Sequence, residues 1–334
     1  MDGSTVALDD TTFAEAIRDG FRHLLARHAN VFAIGQGLWS PWYVGATMSD
    51  LDTEFGTDRV IDTPVSELAC TGAAIGAALC GYRPIVIHPR MDFMLLATDQ
   101  IVNQAAKWSH MMGGAASPAV TFRAIINRGG EQGAQHSQAL HAWFAHIPGL
   151  RVVMPSTPRD ARDLLIAAVL SDDPVLYIDD RWLYERRDRI GEPVELALDG
   201  EGPKLRRAGD AATLVGAGHA SYLCEQAADE LARDGIALDV VDLRVLNPLD
   251  PTVIIESVRK TGRLLAVDGG WRTCGLAGEV IAAVAEAVDP SALRCRPVRL
   301  TLPDAPAPTS KPLEQAYYPT VGDVAAAARA LVAS

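Results

Sequence analysis

Short aliphatic runs alternate with amphipathic stretches along almost the whole chain, and this alternation constrains the fold more than any other feature. Residues 31–35, 59–62, 83–88, 119–126, 151–154 and 174–178 read as strands. Residues 12–28, 69–79, 97–112, 136–146 and 158–170 read as helices. The strands are short and show little polar alternation, as strands buried on both faces do. Strands alternating with helices predict a mostly parallel sheet covered by helices on both sides. The first helix gathers its Leu, Phe and Ile on one face, whereas the helix at 69–79 (ACTGAAIGAAL) is built mainly of small residues.

Residues 186–207 are charged, contain Gly and Pro and lack a clear period, so they read as a linker. Beyond it, strands are expected at 212–216, 237–243, 263–267 and 298–302, and helices at 222–233, 251–260, 276–288 and 321–333. The Pro-rich residues 303–319 read as an extended surface segment. The predicted fold class is α/β, with two doubly wound domains at 1–185 and 208–334 joined by 186–207. A length of 334 residues suits two domains of ordinary size.

A net charge of −12 argues against a nucleic-acid binder and against an anionic membrane surface, and it permits a basic partner. Cys70, Cys80, Cys224, Cys274 and Cys295 are odd in number, scattered and mostly set in apolar runs. They read as reduced core thiols of a cytoplasmic protein. No CxxC or Cys/His cluster suggests zinc. The N-terminal stretch MDGSTVALDDTTFAEA is acidic and has no apolar h-region, so it does not read as a signal peptide. No apolar run reaches the roughly 18 residues of a membrane span.

Two segments offer chemistry. In the first, Asn127-Arg128-Gly129-Gly130-Glu131-Gln132 leads into Gly133-Ala134-Gln135-His136-Ser137-Gln138 and then a helix-like stretch. A polar, glycine-rich loop thus delivers His136 to a helix mouth, and loops after buried strands are where α/β enzymes keep their chemistry. In the second, Ile61-Asp62-Thr63-Pro64-Val65-Ser66-Glu67 places a carboxylate where the small-residue helix opens. The bland account of Glu67 is a charge favoured by the positive helix end, worth under about 1 kcal/mol. Its apolar neighbours Leu68, Ala69 and Ile75 favour partial desolvation, which raises a carboxyl pKa. Gly72, Ala73, Ala74 and Gly76 let another body approach the helix closely.

Together these segments resemble the beta subunit of thiamine-diphosphate-dependent 2-oxo acid dehydrogenases, the pyruvate, branched-chain and acetoin dehydrogenase type within the transketolase-like superfamily. Residues 59–67 and the following helix are similar to the family's pyrimidine-binding segment, which includes Ser66. Asp99-Gln100-Ile101-Val102-Asn103 continues the likeness. Val241 to Asp250 and Gly270-Trp271-Arg272-Thr273 look like the transketolase C-terminal domain. The resemblance runs from about residue 12 to the end of the chain. It implies a pyrimidine-binding domain followed by a transketolase C-terminal-like domain. It makes Glu67 the carboxyl that shares a proton with the aminopyrimidine ring nitrogen, which activates the cofactor. It sets Phe93 against the aminopyrimidine and makes His136 the histidine that assists decarboxylation and acyl transfer to a lipoyl arm.

The family's Gly-Asp-Gly signature for diphosphate and Mg2+ is missing; the nearest string is Val267-Asp268-Gly269-Gly270. Such a site needs a carboxylate, an amide and backbone donors on one loop. The resemblance therefore implies half a site. The diphosphate and Mg2+ are expected on an alpha-type chain of an α2β2 heterotetramer, and a large apolar surface is expected here. A lipoyl acyltransferase core is a further expected partner. Ser171 and Asp173 fall where the family often binds K+.

Some residues depart from the pattern. Gln36 stands where the family has an acidic residue, and His88-Pro89-Arg90-Met91-Asp92-Phe93 replaces a more apolar segment. The added His88, Arg90 and Asp92 suggest a more polar substrate end, and His88 and Arg90, with Arg128 of the loop, are candidate substrate contacts, although a loop arginine is also an ordinary solvated residue. Taken alone, Phe93 reads as core among Met91, Met94, Leu95 and Leu96. His141 and His146 read as helix-surface or capping residues, and a His136/His141 metal pair is disfavoured because i and i+5 do not share a helix face.

Other functions compete with this one. An acyloin- or ketol-forming thiamine enzyme would pass a two-carbon unit to an aldehyde or sugar. An NAD-dependent oxidoreductase is suggested by Gly216-Ala217-Gly218-His219-Ala220-Ser221, with Asp239 and Asp242 downstream, though Ser221 stands in place of the third glycine or alanine. A scaffold without activity is the third, and Glu67, Phe93 and His136 speak against it.

Overall fold

A computed structural model describes residues 10–334. Residues 1–9, which hold part of the stretch read as free of an apolar h-region, lie outside the described residues. Two α/β layers make up the body. The larger is a seven-stranded sheet ordered Arg244–Asn247, Arg151–Met154, Val175–Asp180, Thr121–Ile126, Arg83–His88, Val31–Gly35, Val60–Asp62. Every pairing in it is parallel except that of Arg244–Asn247 with Arg151–Met154. The smaller sheet runs Val298–Leu302, Leu264–Trp271, Ala212–Gly216, Leu238–Asp242, Lys204–Arg207, and only the last strand is antiparallel. Among the described residues no helix is long and apolar enough to cross a membrane.

The first helix, Phe13–Arg27, begins where the Thr12 side chain accepts from Glu15 N and the Glu15 carboxylate accepts from Thr12 N. Its buried face of Phe13, Ile17, Phe21, Leu24 and Leu25 packs on the large sheet with helix Pro158–Leu170. The opposite side of that sheet shares one apolar core with the second layer, from Phe122 and Ile126 across to Val215, Leu264 and Val280.

Several expected elements differ. Arg244–Asn247, unread as a strand, leaves the second half of the chain and closes the edge of the first sheet. Residues within 186–207 are partly paired: Arg187–Asp188 lies against Thr11–Thr12, and Lys204–Arg207 joins the second sheet. The Pro-rich segment is no free surface strand, since helix Lys311–Tyr317 buries Glu314 and Tyr317. The helix expected over 97–112 is a broken helical path, with a 3-10 turn at Leu95–Ala97 and wide π turns at Gln100–Ala105 before Ala106–Met111. The helix expected over 136–146 is only His141–Ala145. Every cysteine is free, yet only Cys224 is a core thiol; Cys80 and Cys274 are exposed.

Candidate active site

Helix Glu67–Leu79 starts immediately after Pro64 and Val65, with Ser66 at its N-cap. Proline disfavours helix in the residue before it, so the helix starts only beyond that point. Glu67 therefore occupies the first turn, where the helix dipole favours a carboxylate. It lines a small open hollow with Ser66, Gln36, Cys70 and His88. Gly35, at the base, is close-packed: a Cβ there would stand 2.5 Å from the Ile87 carbonyl oxygen.

Glu67 is only half-buried. The apolar jacket expected from Leu68 and Ala69 does not form within this chain, because Leu68 is 51% exposed and Ala69 is exposed as well. A Cβ at Gly76 would meet nothing within 4 Å. Val65 (68%) and Leu96 (62%) are also open to solvent. The hollow is built from the ends of strands Val31–Gly35 and Arg83–His88 and the head of the helix, whose Leu68, Ala69, Ala73 and Gly76 are left uncovered.

His88 ends the strand Arg83–His88 at 2% exposure, with its Nε2 3.5 Å from Thr71 Oγ1. Burial lowers its pKa to about 4, so the ring is neutral near pH 7. It adds a polar atom to the hollow and no positive charge. Gln36 donates to Tyr43 Oη at 2.9 Å.

Beyond the hollow, Phe93 is 38% exposed and so is not the core residue its neighbours suggested. It meets His136 edge to face, with ring centroids 5.2 Å apart. His136 is half-buried and lies in the loop before the short helix. Asp92, read from sequence with His88 and Arg90 as a sign of a polar substrate end, is buried and accepts from Gln138 N at 3.2 Å and Gln138 Nε2 at 2.9 Å. Burial pushes its carboxyl pKa up, against the two Gln138 donors. On the far side, the loop is tied down where Glu131 N donates to Glu314 Oε2 at 3.1 Å.

The remaining candidates lie apart from Glu67. Arg90 donates to Gln132 Oε1 at 3.2 Å, on the loop side. Arg128 is neither solvated nor in the hollow. It is buried, 3.2 Å from Asp180 Oδ2, and lies 5.8 Å from the Trp182 ring centre and 5.9 Å from that of Tyr318. His146 is exposed, whereas His141 is buried and stands 2.9 Å from Asp268 Oδ1. Asp268 belongs to the string nearest the missing Gly-Asp-Gly. Its carboxylate is taken up by His141, Gly270 N and Ala277 N, which disfavours its use as a Mg2+ ligand. Among the described residues, no group of three or more His, Cys, Asp or Glu side chains is placed to hold a metal.

Comparison with known proteins fits this geometry. Residues 9–186 match the transketolase pyrimidine-binding domain, and residues 200–324 match the transketolase C-terminal domain. The beta subunit of the acetoin:2,6-dichlorophenolindophenol oxidoreductase of Cupriavidus necator is 43% identical over 272 residues, covering 81% of this chain and 80% of that one. The chain belongs to the transketolase family, in the branch of the pyruvate dehydrogenase and acetoin oxidoreductase beta subunits. Within that branch, the pyruvate dehydrogenase E1 beta subunit of Rhizobium meliloti is 36% identical, covering 96% of this chain and 69% of its own. The mitochondrial one of Bos taurus is 35% identical, covering 94% and 88%. The fold of this transketolase-family chain also matches a split-gene transketolase, solved as an inactive beta4 tetramer, with a TM-score of 0.72 at 22% identity and coverage of 97% and 99%.

Proposed function

We propose that this chain is the beta subunit of a thiamine-diphosphate-dependent α2β2 enzyme that decarboxylates a 2-oxo acid and passes the acyl unit to lipoate. The observation that carries the proposal is Glu67, at the head of a small-residue helix partly open to solvent, lining an open hollow with Ser66, Gln36 and His88. An aminopyrimidine edge would reach Glu67 from the open side of this hollow, beside Ser66 and Gln36. When bound, thiamine diphosphate supplies a nucleophilic carbon that attacks the 2-oxo group.

The residues of this chain would do the rest. Glu67 would hold its proton at the ring nitrogen of the aminopyrimidine. Ser66 would lie beside it at the helix mouth. Phe93 would offer its exposed face to the pyrimidine, with His136 held against its edge and free to bond the reacting oxygen. His88 would present a neutral ring to the polar part of the ligand. The alpha-type partner would carry the diphosphate and Mg2+ and cover Val65, Leu68 and Leu96. A lipoyl acyltransferase core downstream and a cytoplasmic location belong to the same proposal.

A ketol as substrate is the second reading, favoured by the 43% identity to a protein named for acetoin. Replacing Glu67 by Gln tests both. The reconstituted complex is expected to lose nearly all cofactor-dependent turnover of 2-oxo acids and ketols. Normal turnover would remove the role given to Glu67.

A further inference from the structure

Each of the five residues from Pro89 to Phe93 contacts the segment 127–140 that carries His136. Pro89 O accepts from Asn127 Nδ2 at 3.0 Å, and Arg90 Nη2 donates to Gln132 Oε1 at 3.2 Å. Met91 S accepts from Leu140 N at 3.3 Å, Asp92 Oδ1 accepts twice from Gln138, and the Phe93 ring meets His136. Of these contacts, only the Asp92 clamp combines a full charge with two donors from one loop residue, and charge-assisted bonds are the strong ones. The Asp92 carboxyl is buried and Gln138 is half-buried. Gln138 is two residues from His136, in a stretch with several glycines at positive φ (Gly129, Gly130, Gly133) that gives the loop little stiffness of its own.

We propose that Asp92 is a positioning residue that, through Gln138, fixes the place of His136 against Phe93. The proposal rests on the catalytic reading of His136 given above. The test uses the complex with its alpha-type partner. Asp92→Ala is expected to lower kcat at least about tenfold, since small misplacements of a reacting group carry losses of that order or more. KM and thiamine diphosphate affinity should stay within about twofold, a split that general destabilisation would not produce. Asp92→Asn keeps an acceptor and should recover most of the rate. Asp92→Ala with Gln138→Ala should be no slower than Asp92→Ala alone, because both remove one clamp. Amide exchange over 127–140 should quicken in the single variants. Turnover of Asp92→Ala within twofold of the unaltered complex, losses that multiply, or unchanged exchange would each overturn the proposal. If the unaltered complex turns over neither 2-oxo acids nor ketols, the functional reading fails by itself, and loop exchange still decides the positioning role.

A separate observation bears on K+. The stretch around Ser171 follows the C-terminus of helix Pro158–Leu170, whose last carbonyls favour a cation. Arg83 Nη1 donates to Val169 O at 3.1 Å and Ser171 O at 2.7 Å, and Arg83 Nη2 lies 2.6 Å from Asp172 Oδ1. Asp173 is taken by Arg151 at 2.9 Å. The donor set does not fit a bound K+, and we infer that Arg83 is the fixed cation of this stretch. Thermal unfolding of the full chain in KCl and in choline chloride of equal ionic strength tests this. The unaltered protein should melt at the same temperature in both. Arg83→Ala should melt lower and regain a few degrees in K+, and Arg83→Lys should fall between. A rise of the unaltered protein's Tm with K+, or an Arg83→Ala variant indifferent to it, would contradict the inference.

Discussion

His141 Nε2 stands 2.9 Å from Asp268 Oδ1, and the pair bolts the end of the His136 loop to the second α/β layer. Both side chains are almost fully buried. Burial alone would raise the Asp268 carboxyl pKa, but His141 and the amides of Gly270 and Ala277 outweigh it and hold the group below the usual carboxylate range. Replacing His141 by Ala leaves a buried carboxylate with only its backbone donors. A loss of about 1.5–3 kcal/mol is expected, the usual worth of a hydrogen bond to a charged group. Urea unfolding measures it, and a loss below about 1 kcal/mol would mean that water reaches Asp268.

Arg123 sits in the central strand Thr121–Ile126 at zero exposure, forked onto Asp179 at 2.9 and 2.7 Å, with Thr47 and Tyr184 completing its bonds. Burial works against its charge, and Asp179 more than offsets that. Asp179→Asn should destabilise the chain by about 3–5 kcal/mol. Joint replacement of both residues by apolar ones of similar size should cost less than either single change. A double-mutant cycle followed by chemical denaturation checks the order.

His88 makes a pH prediction whose sign follows from its burial. Its pKa is about 4 when folded, against an ordinary value of 6.5. Between those values the unfolded chain binds the extra proton, so stability rises with pH. The contribution is complete above about pH 6.5 and is lost as pH falls toward 4, with an upper bound of roughly 3 kcal/mol. His219, also lowered to about 4 by burial, acts in the same sense. His88→Gln should flatten the slope of stability between pH 4 and 6.5, as measured by denaturant midpoints at constant ionic strength. An unchanged slope would place the proton uptake elsewhere.

Leu68 tests the uncovered face. Leu68→Asp puts a charge where the proposed partner would bury an aliphatic side chain, while leaving the chain's own core untouched. Assembly with the alpha-type chain should weaken at least about a hundredfold, given a cost of several kcal/mol for an unpaired buried charge. The isolated chain should melt as before. Sedimentation of mixtures reads the first and calorimetry the second.

The strands at 31–35, 83–88, 119–126 and 212–216 were legible because each is a short buried run with few competing signals. The carboxylate at the head of the small-residue helix was legible for a similar reason, since Pro64 and the Ala/Gly run mark its start. Long-range pairing was not. Nothing local in Arg244-Val245-Leu246-Asn247 says that it crosses to the first sheet, or that Arg244 is buried with Asp160 at 2.8 Å. Arg128 reads as a loop arginine until Asp180, Trp182 and Tyr318 are brought beside it by the fold. His141 looked like a helix-surface residue because Asp268, its partner, is 127 positions away. Of the apolar neighbours expected to desolvate Glu67, Leu68 and Ala69 face solvent and only Ile75 is buried in the chain's own core.

The central claim, a cofactor site shared between two chains, is tested most directly by titrating thiamine diphosphate with Mg2+ into this chain alone and into its mixture with the alpha-type chain. Calorimetry gives the affinity and light scattering the stoichiometry. Binding is expected only in a two-plus-two assembly. Tight Mg2+-dependent binding by this chain alone would contradict it.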